Sequence, residues 1–546
     1  MPKVKNWKDL YFFIGISTIV FSISPWWTTD GFNVPKFIIL IVFACTLILQ
    51  FNFRDLVNKF NANKSLILTL IFPLNLILVV VINEVNKIQQ IYGDFGKRTG
   101  LLTYLACFVL FLYCAQLGDR GSRNLLAITM VFLGVISAIY SLLQPFGIFK
   151  IDELGSKNMT PYSFFGNTNF SSAFAGFAAI FLIPLFKQGS SKRTFRNFQL
   201  LLIFVLLIFS IYKTNSQQGL IISFSGYAIF FLIRILKSSS PAILKSSFIL
   251  IGIFLFIVFV QSLFGKGIAT RIVFQESVLA RNFYWQAGWD MATANPLFGL
   301  GLDRYGDWYW VYRDLESLNY FDPGNTSRSA HNIYLDLASS GGLILLASYL
   351  LFLGFILFTA IRIIFKDKTY NSTYTTIFAA WVAFGVFSFI SIGQIGILVL
   401  NWVLAGFLIA PKMKQVHGGG NKSEYFDFRF SRLLTGAVIG MLIIFPIGRE
   451  SVASKNAFDK NSTQLLIDYL DNNQIEPRNI SIVAQRLENL GGNSIQYVRQ
   501  ALIEFPNDYN LWYLLLTSKN SLSQEKQLAY DNLLRLNPYN KLQNNP

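Results

Sequence analysis

The chain has 546 residues, of which 53% are hydrophobic and only 14% are charged, and its mean hydropathy is +0.45. These values exclude an ordinary soluble protein and are typical of a protein that crosses a membrane many times. The formal net charge of +17 would suit a nucleic-acid ligand, but its distribution along the chain favours another interpretation.

Thirteen apolar stretches approach or exceed the length needed to cross about 30 Å of hydrocarbon as a helix. In chain order they are 10–29, 35–53, 65–83, 100–117, 123–144, 168–186, 198–212, 217–236, 246–264, 341–361, 374–392, 394–411 and 433–448. The stretch 198–212 is short, and the two on either side of Gly393 also fit one broken helix. The first stretch lacks a small-residue cleavage site, so we expect a retained helix rather than a signal peptide. The sequence therefore predicts an all-α polytopic membrane protein with about 12–13 transmembrane helices.

The excess of positive over negative charge is confined to one predicted side of the membrane. With the N-terminus inside and the sides alternating, the inside segments carry 23 lysines and arginines against 6 acidic residues. The outside loops and the tail after residue 448 are each neutral. This is the positive-inside pattern, so we expect the N-terminus inside and the C-terminus outside, and no nucleic-acid partner.

The inside loops and the cysteines offer no catalytic centre. No phosphate-binding glycine loop ending in Gly-Lys-Ser/Thr and no HExxH zinc motif occurs in the chain. The three cysteines, Cys45, Cys107 and Cys114, lie in apolar stretches, so the sequence suggests neither a thiolate metal site nor a disulfide framework. We expect no metal and no cofactor.

Four predicted outside loops carry most of the chemically useful residues. They are 84–99, 145–167, the turn 213–217 and the large loop 266–340. Loops that meet at one end of a helical bundle can form a shared site. We therefore divide the chain into a membrane domain, 1–448, which includes the large loop, and an outside helical domain, 449–546.

The outside domain has a repeated pattern. Residues 501–506 and 532–538 end alike, about one 34-residue period apart, as in degenerate tetratricopeptide repeats. A plain helical hairpin domain is the alternative. Such repeats usually present a groove, so we expect 449–546 to bind a protein partner.

Three cations in the outside loops suit a lipid-linked diphosphate. No ATP is present outside the cell, so a bond formed there requires a donor activated within the membrane, such as a glycan on a polyprenyl diphosphate. Arginine holds phosphate oxygens through two parallel hydrogen bonds. Arg281, which begins an aromatic, amphipathic stretch, is the first candidate, Arg98 the second and Lys213 the third. An ordinary charge at a helix end is the alternative for each.

His331 is the candidate general base. It is one of two histidines, and it precedes Asn332 and the pair Gly341-Gly342. Imidazole has a pKa suited to accepting a proton near neutral pH. A solvated loop histidine is the alternative. His417 lies among inside glycines and lysines and is given no role.

Together these residues resemble the O-antigen ligase/polymerase superfamily. The similarity covers roughly 80–410 and is densest in an arginine with a following tryptophan, a Pro-Leu-Phe-Gly-x-Gly turn, His-Asn-x-x-Leu and Gly-Gly. Here these are Arg281, Trp285, 296–301, 331–335 and 341–342. Upstream, 93–100 and 165–169, with Asn167 and Asn169, match weaker family motifs.

The resemblance implies a GT-C-like ligase fold and metal-independent, inverting transfer of a glycan from undecaprenyl diphosphate. Arginines would hold the diphosphate, and His331 would lie near the acceptor. Asn167, Asn169 and Asn332 are expected to contact the donor or glycan. Many members have Ser-Arg-Gly where this chain has Ser216-Gln217-Gln218-Gly219. Gln217 therefore replaces a cation. Either Lys213 substitutes for it, or Arg281 and Arg98 hold the diphosphate alone.

The acceptor stays open between lipid A core, another repeat unit and a protein hydroxyl. The family motifs do not separate these acceptors. We favour a ligase in the bacterial inner membrane, with a polymerase or a protein O-oligosaccharyltransferase as the alternative. A transporter for the lipid-linked glycan would require charges within the spans, where the sequence has few.

Overall fold

The computed structural model describes residues 7–24, 30–117, 120–147, 160–186, 191–267, 270, 276–321, 326–367, 370–414, 430–459, 462–472 and 477–538. The described part is helical and contains no β-strand. Its first half holds α1 (Trp7–Phe21), α2 (Asn33–Ile48), α3 (Phe53–Ala62), α4 (Leu68–Ile82), α5 (Lys87–Tyr92), α6 (Leu101–Leu117), α7 (Arg120–Leu143), α8 (Thr168–Ile180), α9 (Ser191–Lys213), α10 (Gln218–Leu236) and α11 (Ala242–Leu263).

The second half begins with the large loop and ends with the tail. Its helices are α12 (Glu276–Ala294), α13 (Tyr305–Tyr312), α14 (Ile333–Lys366), α15 (Ser372–Ile390), α16 (Ile395–Lys414), α17 (Phe430–Asp459), α18 (Thr463–Asn472), α19 (Pro477–Asn489), α20 (Ile495–Glu504), α21 (Tyr509–Thr517) and α22 (Ser523–Leu536).

Ten of the described helical segments are long and apolar enough to cross a membrane, and α2 and α6 are shorter apolar helices. The prediction of an all-α polytopic membrane protein is therefore confirmed. The stretch 198–212 is part of α9, whose 23 residues extend it on the N-terminal side into polar sequence. The pair around Gly393 forms two helices, α15 and α16, separated by 391–394. The first predicted stretch is helical over α1, and 25–29 lie outside the described residues.

An aromatic cluster fills the centre of the bundle. The Trp402 ring of α16 lies 5.0 Å from the ring of Phe352 in α14 and 5.9 Å from that of Phe72 in α4. Gly406 lets α16 approach α6 closely, because a Cβ there would meet the carbonyl oxygen of Phe111. Small residues where membrane helices cross allow the helices to pack closely, so α6 and α16 form a tightly packed pair beneath the loops.

Helix α14 is broken at Gly342, where φ is +72° inside an otherwise helical run. A Cβ at this position would stand 2.5 Å from the carbonyl oxygen of Pro296, so only glycine fits. The break separates a short segment that begins directly after His331 and Asn332 from the membrane-spanning remainder. His331 is therefore positioned by a half-helix that is independent of the span.

The tail packs on the end of the bundle that carries the large loop. Trp310 of α13 belongs to the tail's apolar cluster, and its ring is stacked 5.1 Å from that of Tyr509. Arg313 Nη2 donates to the carbonyl oxygen of Leu536, 2.8 Å away. The tail and His331 thus lie at the same end of the molecule. The predicted boundary at 448 falls inside α17, which continues without interruption from the membrane segment into the tail.

Candidate functional site

Five loops meet at this end of the bundle, which we call the loop face: 93–99, 163–169, 214–217, the described parts 295–321 and 326–332 of the large loop, and 391–394. The Asn33 amide group joins two of them, because Nδ2 donates to the Gly96 carbonyl oxygen at 2.6 Å and Oδ1 accepts from Gln394 at 3.4 Å. A Cβ at Gly396 would be in contact with Phe165. Predicted outside loops that are distant in sequence therefore share one surface.

The Pro-Leu-Phe-Gly-x-Gly motif is a docking element. The backbone N–H groups of Leu300 and Gly301 each donate at 2.9 Å to Ser339 and Ser340, and Leu343 N donates to Pro296 O at 2.7 Å. The motif thus pairs with the broken stretch of α14 and satisfies backbone groups that the break exposes. Its glycines serve close backbone approach, since Gly299 has φ +62° and abuts Ser340.

The loop before α14 holds His331 in a strained conformation. Asp336 accepts from Ser329 Oγ at 2.5 Å and from Ala330 N at 2.7 Å, and His331 N donates to Ser329 Oγ at 3.1 Å. The φ of His331 is +53°, which a residue other than glycine adopts at a cost. This support from Asp336, on the following helical turn, could not be predicted from a local sequence pattern.

The His331 ring is stacked on the Tyr284 ring, with centroids 5.4 Å apart and an interplanar angle of 27°. Tyr284 is fixed by Tyr305, whose hydroxyl donates to its carbonyl oxygen at 2.7 Å. No described residue forms a hydrogen bond with the ring nitrogens of His331. Burial, with the charges of Arg281 and Lys97, lowers the pKa of His331 to about 3, so its imidazole is neutral at physiological pH.

Arg281 lies one helical turn before Tyr284 on α12. Its guanidinium has no carboxylate within ion-pair distance among the described residues, and its buried Nε has no hydrogen-bond partner there. Burial lowers the pKa of Arg281, although the group stays charged at neutral pH. A half-buried cation that has no counter-ion in the described part of the chain, and that lies near a neutral imidazole, is suited to an anionic ligand.

Lys97 is a further cation at this site, which was not among the predicted residues, whereas its neighbour Arg98 was. Its Nζ lies 2.7 Å from Asp303 Oδ1 and donates to the Arg328 carbonyl oxygen at 3.2 Å. Burial disfavours the charge, but the carboxylates of Asp303 and Asp336 outweigh burial and raise the pKa of Lys97. Lys97 is therefore a permanent charge close enough to His331 to affect its titration.

Asp303 ties the loop 93–99 to the large loop. Besides the Lys97 ion pair, its carboxylate accepts from Asp94 N at 2.7 Å, from Thr99 N at 3.1 Å and from Thr99 Oγ1 at 3.0 Å. The side chain is almost fully buried. The fixed position of Lys97 therefore depends on Asp303.

The described residues include no group of three or more His, Cys, Asp or Glu side chains arranged to hold a metal ion.

Arg98 has structural partners. It is 1% exposed, its Nη1 donates to the Gly93 carbonyl oxygen at 3.3 Å, and its Nη2 lies 3.8 Å from Glu450 of α17. The guanidinium also lies over the Phe95 ring, 5.5 Å from its centroid. These contacts join the loop face to the helix that leads into the tail. The predicted diphosphate contact of Arg98 stays a prediction.

The other predicted residues form a second group near α8 and α10. Asn167 caps α8 by accepting from Asn169 N at 2.8 Å, and Asn169 Oδ1 accepts from Ser216 Oγ at 2.7 Å. Gln217 and Lys213 are exposed beside them, with Lys213 over the Phe209 ring at 5.4 Å. The structure thus brings Asn169 into contact with the turn that precedes Gln217, almost fifty positions later in the chain.

This second group adjoins the helix that carries Arg281. Ile221, one turn after Gln217, packs in the apolar cluster that includes Trp285 of α12. Asn332 has a local role, because its Oδ1 accepts from Tyr334 N at 3.0 Å and Leu335 N at 3.2 Å and so caps α14. Its predicted glycan contact stays a prediction, and His417 lies outside the described residues.

Burial of His331 predicts a loss of stability in acid. An unfolded histidine binds a proton below about pH 6.5, whereas the folded one does so only near pH 3. The folded state should therefore lose at most about 1.4 kcal/mol per pH unit as pH falls from 6.5 toward 3. Melting temperatures of wild type and His331→Gln in detergent should diverge between pH 7 and 5, with wild type falling faster. Parallel curves would contradict the burial of a neutral imidazole.

Residues 202–350 match the family model described as O-Antigen ligase. The matched region contains Lys213, Gln217, Arg281 and His331, and it ends before the tail. The match confirms the predicted resemblance to the O-antigen ligase superfamily for this part of the chain. It does not confirm the tetratricopeptide-like interpretation of the tail. No curated protein matches the sequence.

Proposed function

We propose, from the match of residues 202–350 to the O-antigen ligase family model, that the protein transfers a glycan from a polyprenyl diphosphate to an acceptor hydroxyl. The observation that supports this most strongly is the position of Arg281, a cation with no carboxylate partner among the described residues, near the neutral imidazole of His331. An anionic leaving group needs the first, and deprotonation of a hydroxyl needs the second.

The reaction is a single displacement with inversion at the anomeric carbon. The acceptor oxygen forms a bond to that carbon, while the bond to the diphosphate oxygen breaks and its electron pair leaves with undecaprenyl diphosphate. His331 takes the hydroxyl proton. Arg281, with Lys97 nearby, stabilises the charge that develops on the leaving diphosphate, and Lys213 is proposed to assist because Gln217 brings no charge.

The donor also activates the base. The positive charges of Arg281 and Lys97 contribute to the low pKa of His331. A bound diphosphate compensates these charges and so raises the pKa of His331 toward the range in which it accepts a proton. In this proposal His331 is a weak base in the empty enzyme and a stronger one once the donor is in place, which limits unproductive chemistry.

The site is proposed to face the outside of a bacterial inner membrane, with the N-terminus inside. Two observations support this orientation. The excess of lysine and arginine lies on the segments opposite to the loop face. On that opposite side, Lys412 Nζ donates to Ser65 Oγ at 2.8 Å and Lys237 Nζ to the Asp367 carbonyl oxygen at 2.7 Å, so these basic segments also form one surface.

Envelope glycans from a deletion strain test the proposal and identify the acceptor. Complementation with the wild-type chain should restore repeats on lipid A core if the enzyme is a ligase, while the deletion leaves polymer on the carrier lipid. A deletion strain that makes only single repeats would identify a polymerase, and unglycosylated protein would identify an oligosaccharyltransferase. If purified protein in liposomes moves the lipid-linked glycan across the bilayer without forming a glycosidic bond, the proposal is wrong and the chain is a transporter.

A further inference from the structure

A second recess lies between the loop face and the tail, outside the group of residues around His331. It has a volume of about 640 Å³, which lies within the usual range for ligand sites. Lys87, Arg304, Asp307 and Trp308 line it on the membrane-domain side, and Glu504 and Asn507 line it on the tail side. Because 87 and 504–507 lie outside the matched region 202–350, the domain match does not account for this recess.

The lining has no net charge. Lys87 and Arg304 are balanced by Asp307 and Glu504, and Arg304 Nε donates to Asp307 Oδ2 at 2.9 Å. A phosphate or an acidic peptide would find as much repulsion as attraction here. The balance instead suits an uncharged ligand that carries many hydroxyl groups, because carboxylates, amides and cations can all form hydrogen bonds with hydroxyls.

Trp308 supplies the remaining feature. Its side chain is half-buried in the wall of the recess. An indole offers a flat apolar ring on which the C–H face of a sugar can pack. The two requirements of a saccharide, apolar faces and polar edges, are thus met by neighbouring groups.

The recess is joined to the catalytic residues by short contacts. Gln89 Nε2 donates to the Asp303 carbonyl oxygen at 3.2 Å and to Asp307 Oδ1 at 3.5 Å. Asp303 holds Lys97, and Arg304 follows it directly in the chain. A chain bound in the recess would therefore lie beside the loop that positions Lys97.

We infer that the recess between the loop face and the tail binds a neutral segment of saccharide, and that the tail serves as one wall of a glycan-binding cleft. The inference rests on the proposed function only for the kind of glycan that the cleft meets. In that setting the cleft holds the acceptor or the growing chain away from the reacting end, while α12 and the His331 loop carry the chemistry.

Binding of a lipid-free oligosaccharide tests the inference. The probe is the repeat-unit oligosaccharide released by mild acid from the cell's own carrier lipid, titrated by saturation-transfer NMR against the full-length protein in nanodiscs. Trp308→Ala should weaken binding about tenfold, and Glu504→Gln in the opposite wall should weaken it measurably. Trp289→Ala, an exposed tryptophan of α12 outside the cleft, is the matched control and should bind as wild type does.

The outcomes separate the cleft from the transferase reaction. If wild type does not bind the oligosaccharide, or if both cleft variants bind it normally, the inference is overturned. If Trp308→Ala does not fold, the exposed Glu504→Gln variant decides alone. Because no donor lipid is present, binding without any transfer activity would support the cleft and count against the proposed function. Transfer activity together with unaltered oligosaccharide binding in both variants would support the proposed function and overturn the cleft.

Discussion

Replacement of His331 by asparagine is expected to lower glycan transfer about 10²–10⁴-fold, the usual contribution of a positioned general base. Asparagine is the informative substitution, because it tolerates the left-handed backbone conformation that His331 adopts with φ +53°. It removes the base while it preserves the local fold. The measurement is the turnover of donor lipid by purified protein in liposomes, at saturating donor and acceptor.

His331→Ala should be no more active and somewhat less stable, because alanine adds backbone strain at the same position. Gln286→Ala, an exposed change on α12 close to Arg281, is the control and should retain wild-type turnover. The loss in His331→Asn should appear mainly in kcat, because the proton moves only in the transition state. Wild-type turnover in His331→Asn would show that the general-base assignment is wrong.

Neutralisation of Asp303 is expected to destabilise the protein by about 3 kcal/mol, because it leaves Lys97 buried without its closest counter-ion. Asp303→Asn is the appropriate variant, since Asp303 also has a positive φ, +58°, and an asparagine oxygen can still accept from the Thr99 backbone. The measurement is the free energy of unfolding in a detergent titration. Transfer activity should fall as well, because Lys97 loses its fixed position.

A double variant separates charge from packing. Lys97→Met combined with Asp303→Asn removes both charges, and it should be more stable than Asp303→Asn alone. Asp290→Asn, a partly exposed carboxylate on α12, serves as the single-charge control and should change stability by less than about 0.5 kcal/mol. If Asp303→Asn unfolds as wild type does, the Lys97–Asp303 pair does not hold the loops together.

The membrane fold was predictable because hydropathy acts locally. Each span can be recognised from its apolar composition, so each of the thirteen predicted stretches overlaps a helix. The first and last residues of the helices were less predictable, because a helix can continue through polar residues when its end lies outside the bilayer. Thus α9 begins seven residues before the predicted stretch at 198, and α17 runs eleven residues beyond the predicted end at 448.

The site was predictable where a residue type declared its chemistry. Arg281 and His331 stood out as a cation and a rare imidazole, and the structure places them near each other on adjacent elements. Lys97 did not stand out, because its selection depends on Asp303, two hundred residues later. Arg98 looked like the better ligand until Glu450, still farther along the chain, proved to be its neighbour. Pairings of this kind are set by tertiary contacts that local sequence does not encode.

Helix α17 is continuous, so the last membrane crossing and the start of the tail are parts of one helix and should move together. Its 30 residues correspond to about 45 Å of helix. Pro446 weakens the helix near the membrane surface, between Ile443, whose carbonyl oxygen accepts from Tyr92, and Glu450. A pull on the tail would pivot there and act first on Arg98, next to Lys97. A partner that binds the tail from outside would therefore be able to change the position of Arg98 and, through it, of the neighbouring Lys97.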